Sequence, residues 1–191
     1  LGTKNFIIAE LTNNFKFITF EFLLNIMEIK KIDDKKNIIY LKRNIKKNIF
    51  AKKNKAIFYD RDGVLIKDTG YPHEKEKVFF EITQIKKIVD LLEDQKFDCC
   101  GFVTNQSGVG KGIFTEKDFW SFHNMIINKC NELDLNIDFT AVNFFQNEEY
   151  YRKPNNGMLE QALNFFDCKS NQCLFIGDRV TDANAAKKSN L

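Results

Sequence analysis

From Lys55 onward, short apolar runs alternate with stretches in which apolar residues recur every three or four positions. Lys55 to Asp60 is rich in strand formers and predicts a first strand. Ile82, Ile85, Ile88, Val89 and Leu92 fall at helical spacing and predict a helix ending near Gln95. Asp98 to Thr104 predicts a second strand. Thr115, with Asp118 three positions on, predicts a capped helix start, and Phe119, Phe122, Ile126 and Cys130 lie along one face of that helix. Phe139 to Phe145 predicts a third strand and Gly157 to Phe166 a short helix. Cys173 to Asp178 predicts a fourth strand, and Asp182 to Ser189 begins a last helix. Strands alternating with helices predict an α/β fold whose parallel sheet is covered on both faces. No internal repeat is visible.

Residues 1–54 stand apart from this pattern and are expected to be an N-terminal extension to a domain spanning 55–191. Lys30 to Lys55 holds eleven Lys and Arg against Asp33 and Asp34. Such a run suits a solvated lead-in better than a nucleic-acid surface, because Tyr40 and Phe50 are isolated and form no stacking platform. The net charge of +3 does not imply a nucleic-acid partner, and none is expected. The apolar cluster from Phe15 to Ile29 carries Lys16, Glu21 and Glu28, too polar a stretch to span a bilayer. The five cysteines show no C-x-x-C spacing and sit mostly in apolar surroundings. They read as reduced, buried thiols, so a cytoplasmic protein is expected.

Asp60 and Asp62 leave the first strand two residues apart, with Gly63 next. As a local feature the pair reads equally as a turn or as a site that attacks an electrophile, shuttles a proton and holds a hard cation. Thr104 could simply end a strand, Lys153 could be a surface lysine, and Asp178 after Gly177 could mark a turn. Asp182 suits a helix N-terminus as a partner of the helix dipole.

Taken together these segments occur in a telling order. Asp60-Arg61-Asp62-Gly63 is followed by Thr104-Asn105-Gln106-Ser107-Gly108, Arg152-Lys153-Pro154 and Gly177-Asp178. The order and spacing resemble the haloacid dehalogenase (HAD) superfamily of phosphotransferases from about Lys55 to the end of the sequence. The resemblance implies a three-layer Rossmann-like core and an aspartyl-phosphate mechanism. Asp60 would be the nucleophile, and Asp62 the acid for the leaving group and then the base for water. Mg2+ would be held by Asp60, the backbone carbonyl of Asp62 and Asp178. Thr104, the backbone N–H of Asn105 and Lys153 would bind the phosphoryl oxygens.

The loops Asp68-Thr69-Gly70-Tyr71-Pro72-His73, Thr104 to Phe114 and Tyr151 to Leu159 are similar to those of D-glycero-D-manno-heptose 1,7-bisphosphate phosphatases and histidinol-phosphate phosphatases. That likeness implies a small phosphorylated metabolite as substrate. It would be contacted by Asp68, Thr69, Gly70, Tyr71, Gln106, Ser107 and Arg152 besides the phosphoryl-binding residues. Arg152 would suit a second phosphate or hydroxyls, and His73 would pack or cap its loop. Short connections leave no room for a large cap domain. The Cys and His zinc loop usual before Arg-Lys-Pro is replaced by Phe144 to Tyr151, which has neither residue type, so no zinc is expected. The resemblance also implies a further strand after the last helix, and the sequence stops at Leu191 before it. Polynucleotide 3′-phosphatases share the Thr-Asn-Gln and Arg-Lys-Pro segments and stand as an alternative. A HAD-like binding scaffold is the non-enzymatic alternative.

Overall fold

The computed structural model describes residues 28–31, 39–43, 55–147 and 149–191, without the side chains of 28–31, 39–43 and Phe165. Most of the Phe15 to Ile29 cluster lies outside the described residues, as does much of the basic run. The strands are β1 (Glu28–Lys31), β2 (Ile39–Arg43), β3 (Ala56–Tyr59), β4 (Cys99–Asn105), β5 (Phe139–Asn143) and β6 (Leu174–Ile176). The helices are α1 (Ile82–Gln95), α2 (Glu116–Glu132), α3 (Gly157–Phe166) and α4 (Val180–Lys188).

All six strands form one sheet in the order β1-β2-β5-β4-β3-β6. β3 pairs in parallel with β4 on one side and β6 on the other, and β4 pairs in parallel with β5. The four strands foreseen in the sequence therefore make the parallel part. β2 adds antiparallel to the free side of β5, with Leu41 opposite Ala141, and β1 adds antiparallel to β2. Positions before Lys55 thus contribute two strands to the sheet.

The central strands are apolar on both sides because both sides are covered. Ala56 and Phe58 pack with Met158, Leu159, Ala162 and Phe166 of α3 and Ala185 of α4. Ile57 and Tyr59, pointing the other way, pack with Ile85 and Ile88 of α1 and Phe122, Ile126 and Cys130 of α2. This is the three-layer arrangement, with every connection too short to hold an inserted domain. Four cysteines are buried and Cys168 is half-buried, all unpaired. Burial pushes the Cys100 and Cys130 thiols up to about 12, which leaves them inert.

Element ends differ from the sequence reading for local reasons. β5 stops at Asn143, not Phe145, because the Asn143 side chain accepts the Phe145 N–H at 3.1 Å and turns the chain. The last helix begins at Val180, two positions earlier than expected. Asp182 is its third residue and reaches back to accept the Arg179 N–H at 3.1 Å. The expected capping box of Thr115 and Asp118 opens α2.

Candidate active site

β3, β4 and β6 end side by side, and the chain segments leaving them converge there, where parallel sheets collect their ligands. Asp60 is the first residue after β3, and its backbone N–H donates to Ile176 O of β6 at 2.9 Å. Its Oδ2 lies 2.9 Å from Lys153 Nζ. Lys153 also lies 2.7 Å from Asp182 Oδ1 and donates to Val103 O at 2.8 Å. A buried ammonium is thus held between two carboxylates and a carbonyl.

Lys153 belongs to the turn before α3, and Asn105 at the end of β4 fixes that turn. Asn105 Nδ2 donates to Lys153 O at 3.0 Å, and the Lys153 N–H donates to Asn105 Oδ1 at 3.2 Å. The Asn105 side chain therefore serves the lysine. Thr104 is wholly buried, and its hydroxyl accepts Gln106 Nε2 at 3.1 Å.

Among the described residues, Asp60, Asp178 and Asp182 form an acidic trio whose carboxylate oxygens lie within 4.8 Å of one another. Burial, and then the Asp60 charge, push the Asp178 carboxyl above its ordinary value. Gly63 makes this approach possible. Its φ is +84°, and a side chain there would meet the Asp178 carboxylate. The Asp62 carboxylate is not part of the trio. It faces Arg61 and Gln106 instead.

In front of these groups lies a cavity of about 420 Å³. Asp60, Asp62 and Lys153 form its floor, and Asn105, Gln106 and Ser107 line one side. Asp68, Gly70, Tyr71 and Arg152 line the mouth, so the expected substrate loops do meet there, while Thr69, Thr104 and Asp178 do not line this cavity. Asp68 shapes its loop by accepting the Gly70 N–H at 2.8 Å. Tyr71 receives a hydrogen bond from Lys111 Nζ at 2.6 Å, which lowers its phenol below the ordinary tyrosine value. His73 stacks on Phe114 at 4.8 Å between centroids.

Three contributors escaped the sequence reading. Arg179 lines the cavity and pairs with Asp68 across its mouth. Asp182, read as a helix-terminal acid, is also the second partner of Lys153. Arg61 is fully buried behind Asp62. Only Arg61 left a local signal, an arginine set between two acids at a strand exit.

The family model described as polynucleotide kinase 3 phosphatase matches residues 55–190. The chain belongs to this family. It is 34% identical to the D-glycero-beta-D-manno-heptose-1,7-bisphosphate 7-phosphatase of Haemophilus influenzae, over 69% of this chain and 75% of that one. It is 33% identical to the D-glycero-alpha-D-manno-heptose-1,7-bisphosphate 7-phosphatase of Burkholderia mallei, over 70% and 74%. Among solved structures, a HAD-like phosphatase from Mesorhizobium loti superposes with a TM-score of 0.75 at 23% identity, covering 85% of this chain and 80% of that one. The D,D-heptose 1,7-bisphosphate phosphatase of B. bronchiseptica, complexed with magnesium and phosphate, superposes at 0.64 with 21% identity, covering 71% and 76%. These two likenesses concern the fold. The protein is a HAD-like phosphatase, a phosphoric monoester hydrolase. No described helix is long and apolar enough to cross a membrane.

Proposed function

We propose that the protein is a Mg2+-dependent phosphatase of a small sugar phosphate, of the heptose bisphosphate kind, working through an aspartyl-phosphate. The observation that carries this reading is Lys153, held 2.9 Å from Asp60 at the floor of the cavity. An anionic nucleophile facing an anionic ester needs such a charge beside it. The catalytic motifs lie in residues 55–191, and the preceding extension adds β1 and β2 to their sheet.

The acidic trio fits a small hard cation, since it offers carboxylate oxygens and a glycine leaves room beside Asp178. Asp60 and Asp178 would hold Mg2+ with the Asp62 backbone carbonyl, and the ion would offset repulsion between carboxylate and phosphate. Asp60 attacks phosphorus as the bond from phosphorus to the ester oxygen breaks. Asp62 gives its proton to that leaving oxygen. It then takes a proton from the water that attacks the aspartyl-phosphate, and orthophosphate leaves with Asp60 restored. Lys153 neutralises the phosphoryl oxygens throughout. Arg152 and Arg179 at the mouth offer charge to a second anionic group.

The curated relatives act on a heptose bisphosphate by name, which supports that class of substrate here. The unpaired thiols fit a reducing, cytoplasmic setting. The test is Mg2+-dependent phosphate release from heptose 1,7-bisphosphate, histidinol phosphate and a 3′-phosphorylated oligonucleotide. We expect the sugar bisphosphate to be turned over with the highest kcat/KM and Asp60→Asn to abolish release. Preference for the oligonucleotide would move the reading to a polynucleotide 3′-phosphatase, the activity in the family's description. No release from any of them would overturn this choice of substrate class.

A further inference from the structure

Arg61 stands between the two catalytic aspartates, yet it is wholly buried and does not line the cavity. Its guanidinium grips Asp62 with both arms. Nε lies 2.7 Å from Asp62 Oδ1, and Nη2 donates to Asp62 Oδ2 at 3.0 Å. Nη2 also donates to Gln106 Oε1 at 2.9 Å and to Pro72 O at 3.3 Å. Gln106 closes the ring by donating from Nε2 to Asp62 Oδ2 at 2.8 Å. Below, the guanidinium carbon lies 5.5 Å from the Phe119 ring centre and 5.3 Å from that of Phe122, both on α2.

Burying a guanidinium is costly, and a pair between adjacent residues staples no distant parts of the fold. What the pair does determine is direction. A forked guanidinium accepts a carboxylate in one plane and one rotation, and two rings hold the fork itself still. Through Gln106 and the Pro72 carbonyl the same clamp is tied to two loops that meet the cavity. Asp62, with its side chain 15% exposed, presents its remaining oxygen surface to the cavity.

We infer that Arg61 is a positioning residue for Asp62, aiming its carboxyl at the oxygen of the departing group. The inference rests on Asp62 being the proton donor in the reading above. Protonation matters when an alkoxide leaves and matters little when a stable phenolate leaves. A clamp that aims the donor should therefore matter for one kind of ester and not the other.

The experiment compares first-turnover release of glycerol from glycerol phosphate with that of nitrophenolate from p-nitrophenyl phosphate. We expect Arg61→Met to slow glycerol release about 100-fold and nitrophenolate release less than about threefold, with KM for both esters little changed. Arg61→Lys keeps the charge over the two rings but cannot fork, and its ratio should fall between. Thermal melting identifies the folded variants, and where Arg61→Met does not fold, the Arg61→Lys ratio decides. Equal loss on both esters, or loss on neither, overturns the inference. Asp62→Asn run beside it must show the same selective loss. If Asp62→Asn slows both esters alike, or Asp60→Asn stays active, it is the underlying catalytic reading that fails.

Discussion

Lys153 Nζ and Asp182 Oδ1 lie 2.7 Å apart with both side chains almost completely buried. Asp182 also accepts the Arg179 N–H through its other oxygen, so one acid both starts α4 and balances the active-site lysine. Removing it leaves a buried ammonium with one carboxylate fewer. Asp182→Ala is expected to lower the unfolding free energy by about 3 kcal/mol. Asp182→Asn keeps an acceptor for Arg179 and should cost less. Urea denaturation of the three proteins checks the order.

Gly63 ties backbone conformation to the proposed Mg2+ site. Its φ of +84° disfavours any side chain, and the first carbon of one would press on the Asp178 carboxylate. Gly63→Ala should displace Asp178, raise the Mg2+ concentration needed for half-maximal activity at least about tenfold, and cost about 1–3 kcal/mol of stability through backbone strain. A Mg2+ titration of phosphate release and a thermal melt test the two effects separately.

Arg179 pairs with Asp68 at the cavity mouth, in reach of whatever lies beyond the reacting phosphate. A second phosphate on the substrate would compete with Asp68 for this guanidinium. Arg179→Ala should raise KM for a sugar bisphosphate about tenfold and leave KM for the matching monophosphate within about twofold. Equal changes for both would assign Arg179 to loop order rather than substrate choice.

Tyr71 titrates early because Lys111 donates to its hydroxyl. A phenol whose folded-state value is lowered adds stability above the ordinary tyrosine range. That contribution is lost as pH falls through the lowered value. Titration followed by phenolate absorbance should show one tyrosine ionising ahead of the others, and Lys111→Met should return it to the ordinary range.

Much of the architecture was legible because burial leaves a plain record. α1 and α3 have the foreseen ends, and α2 opens on the foreseen capping box. β3 and β4 read as unbroken apolar runs because helices cover both their faces. The strands β1 and β2 were not foreseen, since their run of lysines hides any alternation. At the site, motif order brought Asp60, Lys153 and the substrate loops together. It could not tell which way a side chain turns. The Asn105 side chain turns to the Lys153 backbone, a neighbour 48 positions away, and the Thr104 hydroxyl lies buried against Gln106. Arg179 and the second duty of Asp182 are tertiary facts with no local pattern.

The converging strand exits draw Asp60 from early in the phosphatase region and Asp182 from late in it. During synthesis Asp60 therefore leaves the ribosome long before Asp182, the other acid that holds Lys153. A nascent chain without α4 therefore lacks one of the two carboxylates that hold Lys153. If Lys153 needs both carboxylates, phosphate release would begin only once α4 brings Asp182 to it.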